Sequence, residues 1–158
     1  MPAPPSMSRG LTDPNEERRE FAARYASLES TAAFASSFCE RHGLDGDSAR
    51  KLALIVEELL CNAIEHGFRR ECDETVAVSL CANGAELSLL YDDGAPPFDP
   101  LAAMSESSVA IEVPADARAI GGLGLRLVGA LAAQACYVRE DGRNRLRITL
   151  RRLDSSSQ

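Results

Sequence analysis

Cationic side chains are scarce in this chain of 158 residues: 17 Lys and Arg stand against 24 Asp and Glu, a formal net charge of −7. The deficit argues against affinity for a nucleic-acid backbone, which depends on many cations. It leaves nucleotide binding open, because a few backbone N–H groups and one metal ion can handle a nucleotide's phosphates. Lys51 is the only lysine, a compositional bias with no functional reading. The five cysteines (Cys39, Cys61, Cys72, Cys81 and Cys136) form no CxxC pair and are odd in number. Zinc-ligand spacing and a disulfide framework are therefore both absent. Buried free thiols in a reducing cytosol are the expectation. The N-terminal MPAPPSMSRG has no apolar core of signal-peptide length. No apolar run approaches the roughly 20 residues that a bilayer span requires. The expected location is the cytoplasm, with neither a membrane nor a nucleic acid as direct partner. Two phosphate-binding signatures are missing as well. No GxxxxGK followed by Ser or Thr occurs, and the glycine run GGLGL does not follow a strand within a βαβ unit. These absences exclude a P-loop and a Rossmann site.

What is present fits one globular domain: 45% of the residues are hydrophobic, close to the globular average, and the length suffices for a real core. Residues 1–17 and 154–158 read as tails and 18–153 as the domain. A weak strand over 18–25 precedes a helix over 28–42 that Gly43 stops. Asp45 or Asp47 caps a second helix running to about His66 and stopped at Gly67. Two hairpins follow from the turn dipeptides Asn83-Gly84 and Asp141-Gly142, with strands near 75–81, 86–92, 135–139 and 145–152. Residues 94–120, rich in proline, read as a long loop suited to a lid. A helix over 124–133 comes next. Hairpins favour antiparallel pairing, so the expected fold class is α+β: a two-layer sandwich with helices on one sheet face.

On a wheel at about 100° per residue, Leu52, Val56, Leu59, Leu60 and Ala63 of the second helix form the core stripe. Glu58, Asn62 and Glu65 share the opposite face, with His66 at its edge. The plain reading is the wet face of an amphipathic helix. Against it, Leu54 and Ile55 accompany these residues, and Asn is a mediocre helix former. An Asn one turn after a Glu can do definite chemistry: its amide oxygen suits Mg²⁺, and the Glu can take a proton from an attacking hydroxyl. Glu57 is rotated away and is the poorer candidate.

DDGAPPF directly follows the strand ELSLLY. An Asp there can accept a hydrogen bond from an exocyclic amine such as that of adenine, or simply cap a glycine turn. GGLGLRLV opens a helix, where free N–H groups and the positive dipole end meet phosphate oxygens; a flexible hinge is the alternative.

Taken in order, VEELLCNAIEHGF, YDDGAPPFDP, a lid and GGLGLRLV resemble the GHKL ATPase superfamily. Within it they look like the anti-sigma-factor serine kinases, over roughly Leu28 to Leu153. The resemblance implies a Bergerat fold, with a mixed, mostly antiparallel sheet, that binds ATP or ADP with Mg²⁺. It implies Glu58 as general base, Asn62 as Mg²⁺ ligand, and Asp92 rather than Asp93 on the adenine amine. Gly94 would lie against the base, Gly121, Gly122, Leu123, Gly124 and Leu125 along the phosphates, and Glu65 and His66 nearby. Pro96 replaces the superfamily's usual second glycine. Ile120 stands where some relatives carry an Arg, for which Arg118 or Arg126 would substitute. The implied activity is serine phosphorylation of a STAS-type anti-sigma antagonist, together with sequestration of a sigma factor or similar output protein; relatives are often homodimers. Ile120 supports a second reading, a nucleotide-gated binding module with little turnover. A third is a plain interaction protein.

Overall fold

The computed structural model describes residues 13–105 and 123–151. Strand β1 (Glu16–Ala22) leads through a short turn of helix, Tyr25–Ser27, into α1 (Leu28–Arg41). Helix α2 (Gly46–Asn62) follows and runs on as one π turn, Ala63–Gly67. Then come β2 (Thr75–Asn83), β3 (Glu86–Asp93), α3 (Leu101–Ser105), α4 (Leu123–Leu131), β4 (Gln134–Glu140) and β5 (Arg143–Arg151).

Local chemistry accounts for the ends of these elements. Gly43 adopts φ +65°, a left-handed conformation that ends α1. Asp45 is the cap of α2: its Oδ1 accepts from the Ser48 N–H at 2.7 Å. The first hairpin closes over Gly84-Ala85, with Asn83 paired to Glu86 and Gly84 at φ +56°. The second closes over Asp141-Gly142, both left-handed at φ +53° and +72°. Two successive positive φ values give a two-residue turn the twist its strands need.

The five strands form one sheet in the order β1-β2-β3-β5-β4. Every described pairing is antiparallel. One row across the inward face reads Val78, Tyr91, Leu146 and Tyr137, and its outward neighbour reads Arg18, Ser79, Leu90, Arg147 and Cys136. The inward rows meet Phe34 and Phe38 of α1, Leu52, Ile55, Val56 and Leu59 of α2, and Leu125 and Val128 of α4 in a single core. The α+β sandwich expected from the hairpins is the fold observed.

One feature departs from the sequence reading. The long loop contains α3, capped by Asp99, whose Oδ1 accepts from the Leu101 N–H at 2.9 Å. Five residues are too few for a helical period to show in the sequence. Helix α3 packs on α4 at Gly129, where a Cβ would stand 2.0 Å from the Met104 carbonyl oxygen. Arg118, Ile120, Gly121 and Gly122 lie outside the described residues.

Candidate functional site

The site is organised by the alternation of β3. Leu87, Leu89, Tyr91 and Asp93 point inward and are buried, whereas Ser88, Leu90 and Asp92 are half-buried on the outer face. A carboxylate held at 6% exposure needs partners. Oδ1 of Asp93 accepts from the Ala95 N–H at 3.0 Å and from Nδ2 of Asn144 at 2.9 Å. Asn144, on β5, is the brace of this corner. Its Nδ2 also donates to the carbonyls of Ala95 and Pro96 at 3.2 and 3.1 Å. Its Oδ1 accepts from the Tyr137 hydroxyl at 2.6 Å and the Phe98 N–H at 3.2 Å. Arg139 adds a bond to the Ala95 carbonyl at 2.7 Å.

The structure brings Asp93, and not Asp92, to the cleft. Asp92 faces the side of the sheet away from the described helices, paired with Arg143 and, at 3.2 Å, with Arg145. Gly94 is exposed, and a Cβ on it would lie 3.2 Å from the Arg143 guanidinium. Ala95, not Gly94, lines the cleft. Asp92 and Asp93 are adjacent on β3, and a one-residue shift along a strand exchanges its faces.

Helix α2 supplies the facing wall through Asn62 and, in the π turn, Ala63 and Gly67. Gly67 approaches Ala95 closely: a Cβ on it would stand 3.1 Å from that of Ala95. The enclosed cavity is small, about 30 Å³, room for a water rather than a base. Tyr91 lines it at 5% exposure, and its hydroxyl has no hydrogen-bond partner in the protein among the described residues.

Glu58 lies one turn before Asn62. Its carboxylate rests on Gly124 in the first turn of α4, so closely that a Cβ there would stand 1.9 Å from Oε2. Burial raises the Glu58 pKa, and the negative charges of Glu57 and Glu65 raise it further. Glu57 itself is exposed. The structure does not bring Glu65 and His66 to the cavity. Both are exposed, and Glu65 accepts from the Tyr25 hydroxyl at 3.1 Å. The wheel assumed an α period, whereas the π turn that starts after Asn62 turns less per residue. At the glycine segment, α4 begins at Leu123. The Leu125 side chain is core at 4% exposure, which leaves its backbone for any ligand.

Sequence reasoning missed Asn144, Gly67 and Asp93. The alternation of β5 held a signal for the first: Asn144 shares a face with Leu146, Ile148 and Leu150, between arginines at 143, 145 and 147.

Among the described residues no three His, Cys, Asp or Glu side chains gather as a metal site. Magnesium requires no such cage when phosphates and waters complete its shell. One hard oxygen, that of Asn62, fits an ion arriving with a nucleotide. No helix among the described residues is long and apolar enough to cross a membrane.

Among solved structures, the chain is similar to the RsbU and RsbW domains of Rv1364c from Mycobacterium tuberculosis, with a TM-score of 0.58 and 16% identity. The match covers 86% of this chain and 32% of that one, so the present chain corresponds to about a third of its length. At this identity the likeness concerns the fold. No curated protein matches significantly. Residues 21–150 match the family described as the histidine kinase-like ATPase domain. With the fold and a match over most of its length in agreement, the chain belongs to the histidine kinase-like ATPase domain family.

Proposed function

We propose that the protein binds Mg-ATP and transfers its γ-phosphate to a serine hydroxyl of an anti-sigma-antagonist protein, releasing ADP. The observation that carries this reading is the convergence of α2, the end of β3 and the start of α4. These elements bring Asn62 and Asp93 to one cavity and place Glu58 against Gly124. In this reading Asp93, not Asp92, accepts from the adenine amine. The first turn of α4 offers N–H groups to the phosphates, and Asn62 ligates the nucleotide-borne Mg²⁺. Bound magnesium would neutralise charge developing on the phosphates. Glu58 takes the proton of the attacking serine hydroxyl. Its raised pKa makes it a stronger base than an exposed carboxylate. The resemblance to anti-sigma-factor kinases and the RsbW-containing structural neighbour support the choice of partner, and with it the sequestration of a sigma factor or similar output protein.

Phosphotransfer from radiolabelled ATP to the cognate antagonist tests the reading, with wild type compared against Glu58→Ala. A loss of at least about a hundredfold is expected. Equal rates would remove Glu58 from the mechanism. Nucleotide binding without transfer to any antagonist would instead favour a nucleotide-gated binding module.

A further inference from the structure

We propose that the outer edge of β4 receives an extended segment of a partner protein as a further strand, with apolar side chains toward the helices and an acidic one toward Arg147. In the order β1-β2-β3-β5-β4 the outermost strands are β1 and β4. Among the described residues no strand pairs with the far side of β4. Such an edge carries a row of unpaired backbone N–H and C=O groups, and charged side chains are a common guard against pairing with another chain. Strand β1 is guarded in this way: Glu16, Glu17, Arg18, Arg19 and Glu20 are consecutive. Strand β4 is not. Gln134, Ala135, Cys136, Tyr137 and Val138 carry no charge, and the first three are exposed. Its charged residues stand at the hairpin end and are engaged, Arg139 with the Ala95 carbonyl and Glu140 with Arg145.

Grooves flank this stretch on both faces of the sheet. On the helix side, one of about 460 Å³ lies among Leu101 and Met104 of α3, Gly129 of α4, and Ala133 and Ala135. On the opposite face, one of about 330 Å³ lies among Gln134, Cys136, Arg147 and Thr149. Neither shares a lining residue with the cavity beside Asn62 and Asp93, so this site is independent of the nucleotide reading. A strand laid beside β4 sends alternate side chains to the two faces, and so into the two grooves. Arg147 sets the charge that the outer groove accepts. It is exposed, and among the described residues it has no acidic partner, whereas Arg24, Arg41, Arg143 and Arg145 each have one. Arg147 stands opposite Cys136. A strand beyond Cys136 would lie two strand spacings from β5, about 10 Å. An arginine and a glutamate reaching over a small cysteine can close that span. An acidic residue on the outer face and apolar ones on the inner face therefore complement what the edge offers.

NMR titration of the full, isotope-labelled chain tests this. The probe is a pentapeptide with capped ends in which valine alternates with glutamate. Its amide shifts should centre on Gln134–Val138. N-methylation of alternate peptide amides should abolish binding, because main-chain hydrogen bonds supply the affinity. Arg147→Glu should weaken binding about five- to tenfold, since it removes an ion pair and adds a repulsion, and should leave the melting temperature unchanged. That variant should prefer the same peptide with lysine in place of glutamate. Absence of binding, or binding indifferent to either change, would overturn the proposal. So would slow hydrogen exchange in the free monomer at the β4 amides that face away from β5, because the chain itself would then cover the edge. A concentration-dependent dimer that oxidation links through Cys136 would also overturn it, by making a second copy the occupant.

Discussion

The carboxylate of Glu58 occupies the space where a side chain on Gly124 would begin, 1.9 Å from Oε2 to a Cβ built there. One residue of the glycine segment is thus explained by the helix across from it rather than by a turn. Gly124→Ala should separate stability from activity. The obstructing atoms are the end of a flexible side chain, which can swing away. Alanine also gains about 1 kcal/mol of helix propensity over glycine. The melting temperature should stay within a few degrees of wild type. Phosphotransfer should fall by about a hundredfold, because a displacement of about 1 Å at a reacting group is enough for that. Retained activity would show that Glu58 acts from another rotamer or not at all.

Gly129 presents the same short distance with the opposite consequence. A Cβ there would meet the Met104 carbonyl oxygen at 2.0 Å and its carbon at 2.7 Å. This obstacle is backbone, so relief requires α3 to separate from α4. Gly129→Ala should destabilise the protein by about 1–3 kcal/mol despite the better helix propensity of alanine, as overpacking does elsewhere. Chemical denaturation would measure it. A variant as stable as wild type would mean that α3 does not rest on α4 in solution.

Much of this arrangement was legible before the structure, because it depends on local chemistry. Asp45, Gly43 and the two turn dipeptides each act within a few residues, and each stands where its chemistry demands. The cavity depends on strand phase, which was harder to read. In ELSLLYDD, Leu90 puts an apolar residue on the outer face and blurs the alternation of Leu87, Leu89 and Tyr91. Two adjacent aspartates then left the motif's register to resemblance, and resemblance chose the outward one. The π turn has no sequence period of its own, so the displacement of Glu65 and His66 could not be read either.

Asp92 and Asp93 offer a direct test of that register. Asp93→Asn removes the charge from the cavity and should weaken ADP binding by about 10- to 100-fold, the range of a charge-assisted hydrogen bond. Asp92→Asn should leave affinity within about twofold. Its cost falls on stability, because Arg143 and Arg145 lose their shared partner. Arg145 keeps Glu140 at 2.6 Å, which limits the loss to about 1–2 kcal/mol. The reverse pattern, with binding lost only in Asp92→Asn, would restore the assignment implied by resemblance.

The environment of Glu58 gives a prediction that needs no partner protein. Burial first, then the charges of Glu57 and Glu65, disfavours its ionised form in the folded state. The folded protein therefore holds this proton more tightly than the unfolded chain does. Its contribution to stability is complete below the ordinary carboxylate pKa of about 4.3. It is lost as pH rises from there through the raised folded value. Glutamine keeps the shape against Gly124 and carries no titrating charge. Glu58→Gln should therefore gain on wild type in melting temperature across that window and hold its advantage at neutral pH. Below about pH 4 the gain should vanish, because both side chains are then neutral. Paired melting curves from acid to neutral pH would measure the difference. A constant offset across the range would mean that the folded state does not disfavour the Glu58 charge, and a base no stronger than an exposed carboxylate would follow.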